Sequence, residues 1–201
     1  KQALGELEKQ GIVMRRQGLG TFIRDITPVR EEWIQYTRIP WFHREMAERG
    51  LKPSSQVLRL HEINAADDAQ VQEELKLKPT DKVVLLKRVR LADDTPLAVQ
   101  SAYLVADRVK GLVERGVGIE DSITDILRDE HGLTIAAAQQ RITAAGATAE
   151  DTRYLNIAEG NPLLLIERTS YLEDGKPLEF IRDRRHPSWT FTVWLSRQND
   201  R

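Results

Sequence analysis

Two long β-prone runs constrain this chain more than anything else in it. Lys82 to Leu91 (KVVLLKRVRL) leads through Asp93-Asp94-Thr95-Pro96 into a second run, Leu97 to Leu104. Pro162 to Leu172 leads in the same way through Glu173-Asp174-Gly175-Lys176 into Pro177 to Arg184. Each is a pair of apolar, β-branched stretches joined by turn residues, the pattern of an antiparallel hairpin. The turns line up, Leu91-Ala92-Asp93-Asp94-Thr95-Pro96-Leu97 against Leu172-Glu173-Asp174-Gly175-Lys176-Pro177-Leu178. A recurrence of this kind implies an internal duplication within one antiparallel sheet, with helices covering one face.

The elements around the hairpins are shorter. Residues 33–49 are rich in aromatics, and a helix is expected from near Pro40 to Gly50, since proline is tolerated at a helix start and glycine past its end. Leu51 to Ser55 reads as a turn, Gln56 to Ile63 as a strand and residues 66–77 as a helix. Helices are expected at 106–114 and 121–131, then a strand from Leu133 to Thr143. Thr148-x-x-Asp151 has the spacing of a capping box and opens a helix through Leu155. A last strand is expected at Phe191 to Leu195. The sum is an α+β domain built on an antiparallel sheet with flanking helices, over residues 33–201.

The first 24 residues have a different character. Ala3, Leu4 and Leu7 recur at helical spacing and Gly11 suits a helix C-terminus. Ile12 to Arg16 and Thr21 to Ile23 are short β-prone runs separated by Gln17-Gly18-Leu19-Gly20. Lys1, Lys9, Arg15, Arg16 and Arg24 against Glu6 and Glu8 leave 5 − 2 = +3 here, while the whole chain carries −1. The basic excess is therefore local and suits phosphate contacts, with a small charged hairpin as the plainer alternative. Residues 25–32, which include Pro28, read as a linker.

Candidate chemistry starts with Arg88 and Arg90. Residues two apart on a strand share a face, so both point the way of Val84 and Leu86. Guanidinium groups on an apolar face are costly to bury unless paired or bound to an anion. The alternative is that they are solvated near a strand end or paired with an acid such as Glu179. Ser54 and Ser55, in the expected turn, and Ser122, at a helix start, offer hydroxyls and N–H groups to an anion, although turn serines and N-caps are common. Gln100 and Glu179 lie on the two return strands. Arg168 and Arg182 either close a pocket or pair with Glu167, Asp183 or Glu179.

Enzyme signatures are missing from the sequence. There is no cysteine, and His43, His61, His131 and His186 are scattered without helical pairing. No serine elbow, phosphate loop or dinucleotide fingerprint occurs, and neither a metal nor a cofactor is expected. No apolar run approaches the roughly 20 residues of a membrane span.

Two resemblances give these features a setting. Gln2-Ala3-Leu4, Leu7-Glu8, Gly11 and Arg15-Arg16-Gln17-Gly18-Leu19-Gly20-Thr21-Phe22 are similar to the end of the winged helix-turn-helix head of GntR-family transcription regulators. That likeness implies DNA contacts at Lys1, Arg15, Arg16, Gln17, Gly18, Gly20 and Thr21, and a head whose first helices precede Lys1. Gly50 to Ser55, Arg88-x-Arg90-Leu91-Ala92-Asp93-x-x-Pro96-Leu97, and Ile166-Glu167-Arg168-Thr169-x-Tyr171 with Asp174 to Glu179 resemble the UTRA effector-binding domain of the HutC branch of that family. The family domain has a chorismate-lyase-like fold and usually dimerises.

The resemblance implies an effector site at Ser54, Ser55, Arg88, Arg90, Gln100, Ser122, Thr124, Arg168, Tyr171, Glu179 and Arg182. Several relatives have a tyrosine where Thr124 stands, and an acid is common where Gln100 stands. In sugar-phosphate-sensing relatives the glutamate matching Glu179 accepts hydroxyl hydrogen bonds. The function expected is that of a cytoplasmic, homodimeric, ligand-responsive regulator, a repressor, binding operator DNA and a small anion such as a sugar phosphate or organic acid. Rival readings are a chorismate-lyase-like enzyme and a dimerisation module without a small ligand.

Overall fold

The hairpin turns determine how the sheet is assembled. In the computed structural model residues 13–16, 20–23, 39 and 41–190 are described. Strands β1 (Val13–Arg16) and β2 (Gly20–Ile23) pair antiparallel with Val13 opposite Ile23 and Arg16 opposite Gly20, the hairpin expected of the wing. The expected helix before Gly11 and the strand at 191–195 lie outside the described residues.

Helix α1 (Phe42–Glu48) leads into β3 (Pro53–Asn64), a 3-10 turn (Ala65–Asp67) and α2 (Ala69–Glu74). Strands β4 (Lys82–Ala92) and β5 (Thr95–Val105) form the first long hairpin. A 3-10 turn (Ala106–Arg108) and the short helices α3 (Leu112–Arg115) and α4 (Ile123–Asp129) follow. Then come β6 (Ile135–Gly146), α5 (Ala149–Leu155), β7 (Pro162–Leu172) and β8 (Pro177–Arg185).

The six long strands form one antiparallel sheet in the order β3-β4-β5-β8-β7-β6. This is one unit, strand–helix–strand–strand, used twice and joined through β5 and β8. The repeat extends to a local irregularity. Arg90 faces Ala98 and Leu91 faces Pro96, which leaves Leu97 as a bulge. Ser170 faces Glu179 and Tyr171 faces Pro177, which leaves Leu178 as a bulge. The second turn is one residue longer, 172–176 against 92–95. Asp93 and Asp94 adopt left-handed φ values of 46° and 62° in the first turn, and Gly175 adopts 74° in the second. Counting back from the bulges rather than across the turns makes Arg88 the counterpart of Arg168.

Three expectations need correction. Helices cover both faces of the sheet, not one. Val109 and Leu112 with Ile123, Ile126 and Leu127 of α4 pack on Val84, Leu86, Ala102, Leu104 and Ile181. On the other face Val71 and Leu75 pack on Val83, Leu85, Tyr103 and Phe180, and Leu155 of α5 packs with Val99 and Leu163. The central strands β4, β5 and β8 bury alternate residues both ways, so their apolar runs are almost continuous, the pattern of a strand covered on two sides. Ser54 and Ser55 are strand residues, not turn residues, because Pro53 opens an edge strand whose first position needs no N–H donor. Of the helix expected at 106–114, only Leu112–Arg115 is α-helical, its N-cap Gly111 at a φ of 84°.

The capping box is present: Thr148 Oγ1 accepts from Asp151 N–H at 3.3 Å, and Asp151 accepts from Thr148 N–H at 2.7 Å. Asp151 is fully buried and also accepts from Arg184 Nε at 2.9 Å. Thr148→Ala should therefore cost about 1 kcal/mol, whereas Asp151→Asn, which takes the carboxylate from both the cap and Arg184, should cost about 2 kcal/mol. Urea unfolding measures both, and equal costs would reduce Asp151 to a cap.

Candidate effector site

Directly opposed residues of an antiparallel sheet share a face. Arg88 faces Gln100, Gln100 faces Asp183, and Asp183 faces Ile166, one row across four strands. The next row runs Leu86, Ala102, Ile181, Arg168 and Gln140. Arg90, Ala98 and Arg185 form a third, and Leu104, Glu179 and Ser170 a fourth. The inward face of the sheet thus carries four arginines from three strands, and a pocket opens over them. Trp41, Phe42, Arg88, Arg90, Gln100, Ile123, Thr124, Gln140, Ile166, Arg168, Glu179, Ile181 and Arg185 line about 440 Å³ of atom-free space, part of it open to solvent.

The arginines differ in how they are held. Arg185 donates from Nε to Asp183 at 2.9 Å, and its Nη1 lies 3.6 Å from Glu45 of α1. Arg168 lies under the Trp41 ring at 5.2 Å and Arg90 over the Phe42 ring at 4.2 Å. Arg88, fully buried, donates from Nη2 to Gln100 Oε1 at 2.9 Å, and its Nε and Nη1 find no hydrogen-bond partner among the described residues. Arg90, 3% exposed, donates from Nη1 to Ser55 Oγ at 2.7 Å, and its Nε finds none among the described residues. The hydrogen-bond partners of this adjacent pair are neutral.

Burial is the main cause that pulls Arg88 down to about 10, with Glu179 and Asp183 resisting; burial and then the charge of Arg88 pull Arg90 well below its ordinary value. A guanidinium is basic enough to remain a cation through this. Both shifts have the direction expected of a cation held away from water. Burial also acts on Arg185, but Asp183 and Glu45 outweigh it and hold that group above its usual value.

The remaining sequence candidates divide. Glu179, 3% exposed, accepts from Ser170 Oγ at 3.2 Å and keeps its carboxylate at the pocket wall. Thr124 lines the pocket from α4. Ser55 stands behind it, holding Arg90, and its N–H is spent on Ile119 O at 2.7 Å, so the expected loop of free N–H donors is not formed. Ser54 is buried opposite Leu91 at the sheet edge. Ser122 is the N-cap of α4, accepting from Asp125 N–H at 3.4 Å. Tyr171 faces Pro177 at the bulge, and neither it nor Ser122 lines the pocket.

Arg182 is on the other face. It faces Ser101 and Glu167, pairs with Asp68 and donates to Gln70 Oε1 at 2.7 Å. The arginine that does line the pocket from β8 is Arg185, which sequence reasoning missed. Strand parity was the available signal: Arg185 is an even number of residues from Glu179, and Arg182 an odd number. Trp41, Phe42 and Gln140 were also missed. Among the described residues no group of three or more His, Cys, Asp or Glu is placed to hold a metal, and no helix is long and apolar enough to cross a membrane.

His43, next to Phe42, is pulled down to about 4 by burial and then by the charges of Arg90 and Arg88. The native imidazole is neutral where an unfolded one protonates. The unfolded chain therefore binds the extra proton between about pH 6.5 and 4. Stability should fall as pH drops through that window, and His43→Gln should remove this component. Urea titrations at several pH values measure it, and identical profiles for both proteins would exonerate His43.

Comparison with known proteins fits this architecture. The family model described as UTRA domain matches residues 48–188. HTH-type transcriptional regulator Rv0792c of Mycobacterium tuberculosis is 36% identical over 98% of this chain and 71% of its own length. HTH-type transcriptional repressor NagR of Bacillus subtilis is 29% identical over 98% of this chain and 78% of its own. The crystal structure of PhnF from Mycobacterium smegmatis superposes with a TM-score of 0.72, covering 98% of this chain and 84% of that one; at 24% identity it speaks for the fold. With an antiparallel sheet that carries a polar pocket and sequence relatives that are transcription regulators, the chain belongs to the UTRA-domain family, as a ligand-responsive transcription regulator of the HutC-like GntR type.

Proposed function

We propose that this chain is the sensor, with part of the reading head, of a homodimeric cytoplasmic repressor that a small anionic metabolite releases from its operator. The observation that carries the reading is the pair Arg88 and Arg90, buried side by side with neutral hydrogen-bond partners and with guanidinium nitrogens left over at a pocket. Leaving such donors buried and unmatched is costly, and an anionic ligand removes the cost. Gln100, Thr124, Arg168 and Glu179 contact the rest of the ligand, Glu179 as an acceptor for hydroxyl or amine groups. Ser55 fixes Arg90, and Ser122 fixes the start of α4. The buried guanidinium nitrogens of Arg88 and Arg90 that find no partner among the described residues favour this reading over a dimerisation module filled by its own side chains.

In this proposal residues 1–24 belong to the head, 25–32 link it and 33–201 sense the ligand and dimerise. Lys1, Arg15, Arg16, Gln17, Gly18, Gly20 and Thr21 approach DNA, with Arg15 and Arg16 on phosphates. NagR, a relative, bears the name of a repressor, which supports the sign of the response. A ligand with different affinity for two arrangements of the dimer shifts the population between them, and that difference is all the response requires.

Replacing a buried, poorly matched charge by an apolar side chain is often neutral or stabilising. Arg88→Met should therefore fold with undiminished thermal stability and lose ligand response. In a thermal-shift screen of sugar phosphates, dicarboxylates and urocanate, the unaltered chain should show a midpoint that rises with ligand concentration. The variant should show no rise. A variant that unfolds, or one that keeps the full response, overturns the role given to Arg88.

In a protein carrying the complete head, Arg15→Ala with Arg16→Ala should weaken operator binding. It should also reduce the slope of log affinity against log salt by about 2, roughly 0.9 per phosphate released. Fluorescence anisotropy over a salt series measures it, and an unchanged slope removes both residues from the phosphate contacts.

A further inference from the structure

The two edges of the six-stranded sheet are built differently. β3 carries the devices that keep an edge strand from pairing. It opens on Pro53, breaks register between Val57 and Arg59, and exposes Arg59, His61 and Glu62. Part of its outer edge is already in use, since Ser55 N–H donates to Ile119 O. β6 has few of these devices. Its 12 residues, IAAAQQRITAAG, hold no proline and a single charge. Its irregularity lies at its start, between Ile135 and Ala137. The charge, Arg141, is turned to its own chain, pairing with Glu74 and lying 3.8 Å from Glu167.

β6 is also exposed on both faces. Arg141 and Thr143 point to the side of α2, Ile142 and Ala144 to the side of the pocket, and all four are exposed. Ile142, at 36%, is one of two large apolar side chains exposed among the described residues. Five alanines and Gly146 leave room beside the strand for the layers of a neighbour. Antiparallel pairing of β6 with a second β6 about a two-fold axis covers both edges at once and closes. Pairing with the β3 edge of another molecule would repeat without end. Opposed residues of a ladder share a face, so the axis has to pass through a residue. At Arg141 it would set two guanidinium groups opposite each other. At Ile142 it sets Ile142 against the partner's Ile142, Arg141 against the partner's Thr143 and Gln140 against the partner's Ala144.

We propose that β6 is the dimer edge of this protein, pairing antiparallel with the same strand of a second copy about an axis at Ile142. This rests on the homodimer of the reading above and adds the surface that forms it. Gln140, which lines the pocket, then stands two residues from the axis, so a ligand in the pocket touches the strand that both copies share.

The chain has no cysteine, which makes the edge open to cross-linking. In sedimentation equilibrium the whole chain should be a dimer. Ile142→Cys, a small change at an exposed site, should form a disulfide-linked dimer on oxidation with copper phenanthroline, because directly opposed side chains lie about 5 Å apart. Glu62→Cys, exposed on β3, should not link. Ile142→Lys sets like charges across the axis and should raise the dimer dissociation constant about tenfold or more, with an unchanged circular dichroism spectrum. A chain that is monomeric at every concentration overturns the homodimer and this edge together. A dimer in which Ile142→Cys fails to link, or links no better than Glu62→Cys, overturns the edge and leaves the homodimer standing. A folded Ile142→Lys protein that dimerises at full strength does the same.

Discussion

The pairing of β5 with β8 is the contact on which this structure depends. Each half of the duplication is a three-stranded meander with one helix. Joining them through β5 and β8 makes one sheet in which the apolar residues of both halves share cores. The same pairing brings Arg88 and its counterpart Arg168 onto one face, with Gln100 and Glu179 on the strands between them. The pocket is thus a product of the seam, not of any single loop. Apart from Thr124 of α4, its polar groups are mounted on strands, whose positions the ladder fixes, so they face a ligand with little freedom left to lose.

Duplication alone would have made the pocket symmetric, and it is not. Arg90 corresponds to Ser170, Gln100 to Ile181 and Glu179 to Ala98, counting from the two bulges. The β4 side is cationic with neutral supports, and the β8 side carries the carboxylate. The two sides have kept their backbone and exchanged their chemistry, which gives a ligand one orientation in place of two.

Much of the fold could be read from the chain because its signals were local. Period-two burial, the Pro-Leu pair after each turn and the Thr148-x-x-Asp151 box each depend on a few adjacent residues. The shared face of Arg88 and Arg90 also follows from parity within one strand. What could not be read depends on pairing between distant strands. Arg182 and Arg185 are three apart and so lie on opposite faces; the pairing of β8 with β5 puts Arg185 beside Ala98 on the face of Gln100 and Arg182 beside Ser101 on the other. The place of Ser54 and Ser55 turned on whether Pro53 ends a turn or opens an edge strand, and both are common. The roof over the arginines was invisible because Trp41 and Phe42 reach the pocket from a helix far from it in sequence.

That roof has a practical corollary for anyone dissecting the molecule. The region matched by the family model starts at residue 48. Trp41, Phe42 and Glu45 all precede it, yet two of them wall the pocket and the third pairs with Arg185. A fragment trimmed to the homology boundary would retain every strand of the six-stranded sheet and still present a pocket with its lid removed and one acid missing. Its affinities would describe a wetter, more cationic cavity than the one the intact chain offers, so excision points upstream of Trp41 are the ones that preserve the native site.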